Sequence, residues 1–304
     1  MDRSVENVYY FHLYANGSDA RNFIVSEDDF RFQFNLVAIC VCLSGVKVLA
    51  FSIEDTHPHF ILVGTPAKAL DFKVRYETST LHHIRSTRGT SDGVTLDFQL
   101  DKIDNREYLM NACAYVIVQP TKDGKGIMPY DYRWGTGSMY FRPAWQISLW
   151  RISATGEILN PVTAGSIPYS RRVKLWGGRN GIPSDWMVCD GLILPDNYVD
   201  VAAFESVFVT HNCFRTFQSA GKKKEQEFLD EMSRRRGVRI EDFDAREICK
   251  SVCRNLFGKE TARWLSSGQR LELAKVLRYE KGLTLRQIAT LSRLPNVELE
   301  KYLK

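Results

Sequence analysis

The chain has 304 residues, 44% of them hydrophobic and 25% charged, which is the balance of a folded globular protein and argues against disorder. No stretch approaches the roughly 18 uninterrupted apolar residues of a membrane helix, so we expect no membrane partner. The net charge is only +5, but residues 215–304 hold 21 Lys/Arg against 13 Asp/Glu. This surplus predicts either contact with a phosphate backbone or a solvated helical face.

The cysteines and the N-terminus bear on the cellular compartment. Seven cysteines occur without a CxxC pair, which predicts reduced thiols. The first ten residues lack a basic region followed by an apolar core, so no secretory signal is predicted. We therefore expect a cytoplasmic, nucleoid-associated protein.

Strand and helix signals alternate over the first 120 residues. Runs of β-branched and aromatic residues predict strands at 9–15, 46–53, 60–63 and 94–100. Capping residues and apolar spacing predict a helix capped by Ser26, a second from Pro66 to about Arg85, and a third from Asn105 that Pro120 ends near Val118. The order β-α-β-β-α-β-α predicts an α+β sandwich in which helices pack on an antiparallel sheet.

The rest of the chain divides where its composition changes. Residues 121–215 are rich in Gly, Pro and Trp, and their pattern predicts no particular architecture. From Lys222 onward helix formers and charged residues take over, so a boundary is expected near 215–225. The predicted domains are residues 1–141, an extension over 142–220, and a mainly helical domain over 221–304.

The sharpest local feature is His57-Pro58-His59, directly before an apolar run. Residues two apart on an extended segment point to the same side, so both imidazoles can meet one metal ion. The alternative is a chance pattern, because two histidines at this spacing occur in many proteins. Proline lacks the N–H that a central ladder uses, so this segment must lie at a strand start, an edge or a bulge. His12, on the first predicted strand, is expected to be a half-buried structural residue.

A second feature lies on the helix that precedes Pro120. Tyr115 and Gln119 are four residues apart and share one helix face. A phenol and an amide oxygen brought against two imidazoles would make three metal ligands and an oxygen nucleophile, the chemistry of phosphodiester cleavage. The alternative is that Tyr115 is a core aromatic and Gln119 an ordinary polar residue near a helix end.

Four segments in this order resemble the HUH single-tyrosine transposases, most closely the REP-associated tyrosine transposases. The similarity covers about residues 7–141. The segments are the opening run from Tyr9, then THPHFIL from Thr56, AYVIVQP from Ala114 and PYDYRW from Pro129. The resemblance implies a ferredoxin-like fold with a central antiparallel sheet that binds single-stranded or hairpin DNA.

The resemblance also implies a role for individual residues. His57, His59 and Gln119 become metal ligands, and Tyr115 becomes the nucleophile that forms a 5′-phosphotyrosine link. The implied cofactor is Mg²⁺ or Mn²⁺; imidazole ligands favour Mn²⁺ in affinity, whereas cellular abundance favours Mg²⁺. The chain departs from the family at Pro58, at Thr56 in place of asparagine, and after Trp134, where paired serines are missing.

The last 40 residues resemble the helix-turn-helix of bacterial regulators and resolvases. Gly282 is expected to end one helix, Thr284 to cap the next, and a third to follow from Pro295. That third helix would enter a major groove of duplex DNA, whereas the alternative is a three-helix packing module. The candidate DNA contacts are Arg278, Lys281, Arg286, Arg293 and Asn296.

Two functions follow as hypotheses from these features. The first is a metal-dependent single-strand endonuclease or transposase that cleaves and rejoins hairpin-containing DNA. The second is a domesticated DNA-binding regulator that has weak or no catalytic activity. The sequence leaves the oligomeric state open.

Overall fold

The central sheet has four antiparallel strands. Their bounds are Tyr9–Ala15 for β1, Lys47–Ile53 for β2, Pro58–Gly64 for β3 and Phe98–Ile103 for β4, and their spatial order is β2-β3-β1-β4. The computed structural model describes residues 7–15, 23–90, 96, 98–122, 127–176, 181–219, 227–232, 242–279, 281, 283–295, 298–299 and 302–303.

The alternation of residues in β1 gives the sheet two unlike faces. Phe11 and Leu13 point to one side, and His12 and Tyr14 point to the other, because successive strand residues face opposite ways. His12 lies opposite Asp101 of β4, and Tyr14 lies opposite His59 of β3. Side chains directly opposite one another share a face, so polar and aromatic groups from three strands collect on one side of the sheet.

Helices cover both faces. Helix α1 is Glu27–Ser44, α2 is Pro66–Arg88 and α3 is Arg106–Lys122. Phe60 of β3 packs against Phe72 of α2, so α2 lies on the apolar face together with its neighbour α1. The adjacent residue, His59, meets Tyr115, so α3 lies on the polar face. The order βαββαβ with β1 between β3 and β4 is the ferredoxin-like arrangement, and the predicted α+β fold is confirmed.

Local signals fix most helix starts. The side chain of Ser26 accepts a hydrogen bond from the backbone N–H of Asp29, as its predicted capping role requires. Helix α2 continues to Arg88, beyond the predicted end at Arg85, and stops at Gly89, whose φ of +77° favours glycine.

The prediction that Pro120 ends the third helix was wrong, because α3 runs on to Lys122. The fixed φ of proline is itself helical, and only two residues of α3 follow Pro120. The N–H that proline lacks would have bonded the carbonyl of Val116, so one ladder bond is lost near the end of the helix. In the same part of the helix the Gln119 amide donates to the carbonyl of Tyr115, and the Thr121 hydroxyl donates to that of Val118.

Proline at position 58 is tolerated because it is the first residue of β3. It lies opposite Ile53, the last residue of β2, so the sheet loses no interior ladder bond. The expectation of a strand start is confirmed.

The region without a predicted architecture contains a small sheet and three helices. Its elements are β5 (Val162–Thr163), β6 (Met187–Cys189), β7 (Leu192–Ile193), α4 (Tyr169–Trp176), α5 (Val201–Phe208) and α6 (His211–Gln218). This region covers the outer edge of β2. The N–H of Ile53 donates to the carbonyl of Trp134, and the carbonyls of Phe51 and Val48 accept from Thr136 and Asp200.

Buried apolar side chains fall into two clusters. The first includes residues between Phe11 and Met232, and so unites the sheet with residues 142–218 and with a helical segment, α7, at residues 227–232. The second lies between Ala245 and Leu303 and is built by α8 (Asp242–Phe257), α9 (Ser267–Tyr279) and α10 (Leu285–Ser292). In the described part of the chain, no helix has the length and apolar character to cross a membrane.

A buried ionic network joins α1 to α2. Asp29, 4% exposed, receives hydrogen bonds from Nε2 of His83 at 2.8 Å and from Arg88 at 2.9 Å. Burial by itself raises the pKa of Asp29, but these bonds and one from the Val25 N–H outweigh burial and hold its pKa below the ordinary value. The ionised carboxylate therefore stabilises the fold above its unfolded-state pKa, and this contribution is lost as the pH falls through the folded-state pKa.

Asp29→Asn is expected to lower the free energy of unfolding by about 2 kcal/mol at pH 7, because it removes charge from a buried hydrogen-bonded group. Urea denaturation measured at pH 7 and pH 3 checks this, and the difference from the wild type should shrink at the lower pH. The exposed neighbour Asp28 provides the control Asp28→Asn, which should have little effect. An equal deficit for Asp29→Asn at both pH values would contradict the assignment.

Candidate active site

Two histidines approach each other where β3 begins. His57 is half-buried, His59 is 1% exposed, and their ring centroids lie 4.6 Å apart. The hydroxyl of Thr56 lies 2.7 Å from Nδ1 of His57. A hydrogen bond at one ring nitrogen restricts the orientation of an imidazole. The Thr56 hydroxyl is thus placed to restrict the orientation of the His57 ring.

Tyr115 of α3 lies against this pair. Its ring centroid is 5.5 Å from that of His59, with the ring planes at 85°, and the side chain is half-buried. The sheet and α3 thus bring together an imidazole pair and a phenol that are more than 50 residues apart in sequence. This is the convergence that the candidate site required.

The third predicted ligand, Gln119, is placed less directly. It is 5% exposed, and its amide nitrogen donates to the carbonyl of Tyr115 at 3.1 Å, which leaves the amide oxygen as the group available to a cation. No hydrogen bond joins it to His57 or His59 within the described residues. Across those residues no three His, Cys, Asp or Glu side chains are placed to hold a metal ion, so a site here would depend on the Gln119 oxygen completing the imidazole pair.

His12 was predicted to be half-buried, and this degree of burial was wrong. It is fully buried, with its ring 5.8 Å from His59 and 6.4 Å from Tyr115, and its Nδ1 is 3.5 Å from the hydroxyl of Tyr108. The strand brings it to the polar face of the sheet, beneath α3. Its position in the alternating run of β1 was the sequence signal for this placement.

A buried carboxylate completes the polar face. Asp101 is 1% exposed, lies opposite His12 in the sheet, and accepts a hydrogen bond of 3.1 Å from the hydroxyl of Tyr14. A carboxylate beside imidazoles favours positive charge nearby, whether on a protonated ring or on a bound cation. Sequence reasoning missed Asp101 and Tyr14, because only the strand register brings them to the histidines.

Helix α7 covers part of this cluster. The ring of Phe228 lies 5.0 Å from Tyr108, 5.1 Å from Tyr115 and 6.3 Å from His12, and the carbonyl of Met232 accepts a 3.5 Å hydrogen bond from Tyr14. Phe228 is itself only 5% exposed. Phe228 thus encloses part of the histidine–tyrosine cluster.

The predicted DNA contacts of the C-terminal region are mostly at the surface. Arg278, Lys281, Arg286 and Arg293 are exposed, and Asn296 lies outside the described residues. Thr284 caps α10 with a reciprocal capping box, as predicted. Arg293 adopts the left-handed conformation that ends α10, with a φ of +59°.

The fold and the site together define a class: an α+β protein with a ferredoxin-like sheet and a histidine–tyrosine cluster on its polar face. Comparisons with protein-family models, curated proteins and solved structures find no match to this chain. The functional argument therefore rests on the chemistry of the cluster and of the C-terminal helices.

Proposed function

We propose that this chain binds DNA and cleaves and rejoins single-stranded, hairpin-containing DNA through a 5′-phosphotyrosine at Tyr115. The observation that carries the proposal is the placement of the Tyr115 ring 5.5 Å from His59, the buried member of the His57–His59 pair. Tyr115 and His57 are both half-buried rather than fully enclosed.

The reaction is a transesterification. The hydroxyl oxygen of Tyr115 bonds to the scissile phosphorus, the phosphorus–O3′ bond breaks, the phenol loses its proton and the departing 3′ oxygen gains one. Attack by a 3′ hydroxyl on the phosphotyrosine reverses these changes and rejoins the strand. His57, His59 and Gln119 would hold Mg²⁺ or Mn²⁺, and the bound ion would neutralise part of the negative charge of the phosphate.

The free-energy cost of burying the polar groups of this cluster supports a functional role for it. His12, His59 and Asp101 are all at most 1% exposed, on a sheet face that apolar side chains would fill more stably. Burying polar and ionisable groups costs free energy even when they are hydrogen-bonded, and replacing them with apolar groups is often neutral or stabilising. Groups that lower stability in this way are typical of functional sites.

The decisive experiment looks for a covalent product. The full chain is incubated with hairpin-containing single-stranded oligonucleotides and Mn²⁺, and the products are separated under denaturing conditions. A protein–DNA adduct that survives denaturation supports the enzyme. DNA binding without an adduct on any such substrate rejects it.

The second candidate, a DNA-binding regulator with weak or no catalysis, is favoured by one observation. The ring of Phe228 lies 5.1 Å from that of Tyr115 and 5.0 Å from that of Tyr108, and so covers part of the phenol. A chain used only for binding has no need of access to that group. The same adduct experiment decides between the two candidates.

We also propose that the C-terminal helices contact duplex DNA through exposed cations. Lys281→Ala combined with Arg286→Ala is expected to weaken duplex binding and to reduce the slope of log K against log salt concentration by about 2, since each phosphate contact contributes about 0.9. Fluorescence anisotropy between 50 and 200 mM salt, roughly the range over which such contacts are screened, measures the slope. The control is Arg246→Ala, an exposed arginine of α8 outside the predicted contacts. An unchanged slope would favour the packing-module alternative.

A further inference from the structure

A cavity of about 760 Å³ lies beside α3, away from the histidine cluster. Its walls come from the C-terminal end of α3, from residues 128–146 and from α6. Cavities that hold small organic ligands measure about 300–1,000 Å³, so the volume suits one ligand of that class. Gly137 forms part of the wall, and a side chain there would collide with the backbone carbonyl of Pro129.

Flat rings line one part of the cavity. Phe141 and His211 stack with their centroids 5.4 Å apart and their planes at 16°, and Tyr130 contributes a ring that is 56% exposed. Exposed rings at a cavity wall provide a stacking surface for another planar group, such as a nucleobase.

Hydrogen-bond donors line another part. Arg142 and Arg215 both border the cavity, and none of its described lining residues is acidic. Arg142 holds Asp196 through Nη2 at 3.4 Å, while its Nη1 is buried and makes no hydrogen bond within the described structure. Arg215 is exposed, so its guanidinium is accessible to a ligand. Two arginines and no acidic residue in the described lining favour an anionic ligand.

The cavity is close to the candidate nucleophile along the helix. Val118 and Thr121 of α3 line it, and they lie three and six residues after Tyr115. At 1.5 Å per residue they are about 4.5 and 9 Å from Tyr115 along the helix axis. A short single strand can therefore span both sites.

We propose that this cavity binds one unpaired nucleotide, with its base on the ring of Tyr130 or Phe141 and its phosphate at Arg142 and Arg215. A nucleotide has a planar base, which suits the part of the wall lined by rings, and an anionic phosphate, which suits the part lined by arginines. The assignment of that nucleotide to a DNA strand rests on the proposed function, whereas the cavity's affinity for a nucleotide does not.

The test measures binding in a Tyr115→Phe background, so that its outcome is independent of any cleavage. Anisotropy compares a labelled hairpin carrying a three-nucleotide single-stranded tail with a blunt hairpin. Arg215→Ala and Tyr130→Ala, at two exposed positions, are each expected to weaken binding of the tailed hairpin by about 10-fold, the effect of losing one stacked base or one phosphate contact, and to leave the blunt hairpin unaffected. Arg171→Ala, at an exposed arginine of α4, is the matched control.

Competition tests whether the cavity recognises a whole nucleotide or only its phosphate group. Free deoxynucleoside monophosphate should displace the tail, and inorganic phosphate at the same concentration should not. Equal binding of tailed and blunt hairpins by the parent protein, unchanged binding by both variants, or equal competition by phosphate would each overturn the proposal. A different outcome is that both variants lose tail binding and the protein with Tyr115 intact forms no covalent adduct. That outcome would support the nucleotide site and reject the proposed nuclease activity.

Discussion

Replacing Tyr115 by phenylalanine is expected to abolish the covalent protein–DNA adduct and to leave the fold and DNA binding unchanged. The substitution removes only the hydroxyl oxygen, and its ring can keep the contacts with His59 and Phe228. Without that oxygen no phosphoester can form at this position, so adduct formation should fall at least about 1,000-fold, to the detection limit. Quantitative denaturing electrophoresis with labelled hairpin DNA measures the loss.

Tyr169→Phe is the matched control for this experiment. Tyr169 lies on α4 and is 63% exposed, so it is an accessible phenol outside the cluster. Its substitution should leave the adduct yield at the wild-type level. An adduct that persists in the Tyr115 variant and disappears in another tyrosine variant would move the nucleophile elsewhere and refute the proposed site.

His57→Ala is expected to reduce adduct formation by about 100-fold and to weaken Mn²⁺ binding, because it removes one of two imidazoles from the proposed ligand set. His57 is the better position to change, since it is half-buried whereas His59 is 1% exposed and packs in the cluster. Isothermal titration with Mn²⁺ and the adduct assay measure the two effects separately.

The control for the metal experiment is His82→Ala, at an exposed histidine of α2. It should change neither Mn²⁺ affinity nor adduct yield. Wild-type affinity for Mn²⁺ in the His57 variant would show that the ion binds elsewhere. An adduct yield that does not respond to chelation of divalent ions would reject metal assistance.

The parts of the fold that were predictable from sequence are those with local causes. The cap at Ser26 depends on residues within one turn, and its prediction is confirmed. Pro58 was expected at a strand start, an edge or a bulge, and it is the first residue of β3. The α+β fold followed from the order of such elements. The end of α3 was mispredicted because the fixed φ of Pro120 is compatible with a helix, so the loss of one ladder bond near the C-terminal end did not terminate it.

The site was predictable only in part. The spacing of His57 and His59 indicates a shared side, and helical spacing puts Tyr115 and Gln119 on one face of α3. The contributions of His12 and Asp101 depend on which residues of β1 and β4 face one another, and a shift of one residue would turn both to the other face. Phe228 joins the cluster from more than 100 residues further along the chain, and no local pattern encodes a contact of that kind.

The covered edge of β2 bears on how copies of this protein associate. A bare outer strand is a template on which a second chain can add a strand, and it invites domain exchange and fibril growth. Here residues 134–136 and Asp200 already occupy the hydrogen-bonding groups of that strand. Two copies that merged their sheets through β2 would first have to detach this segment, so any symmetric assembly is directed to other surfaces of the molecule.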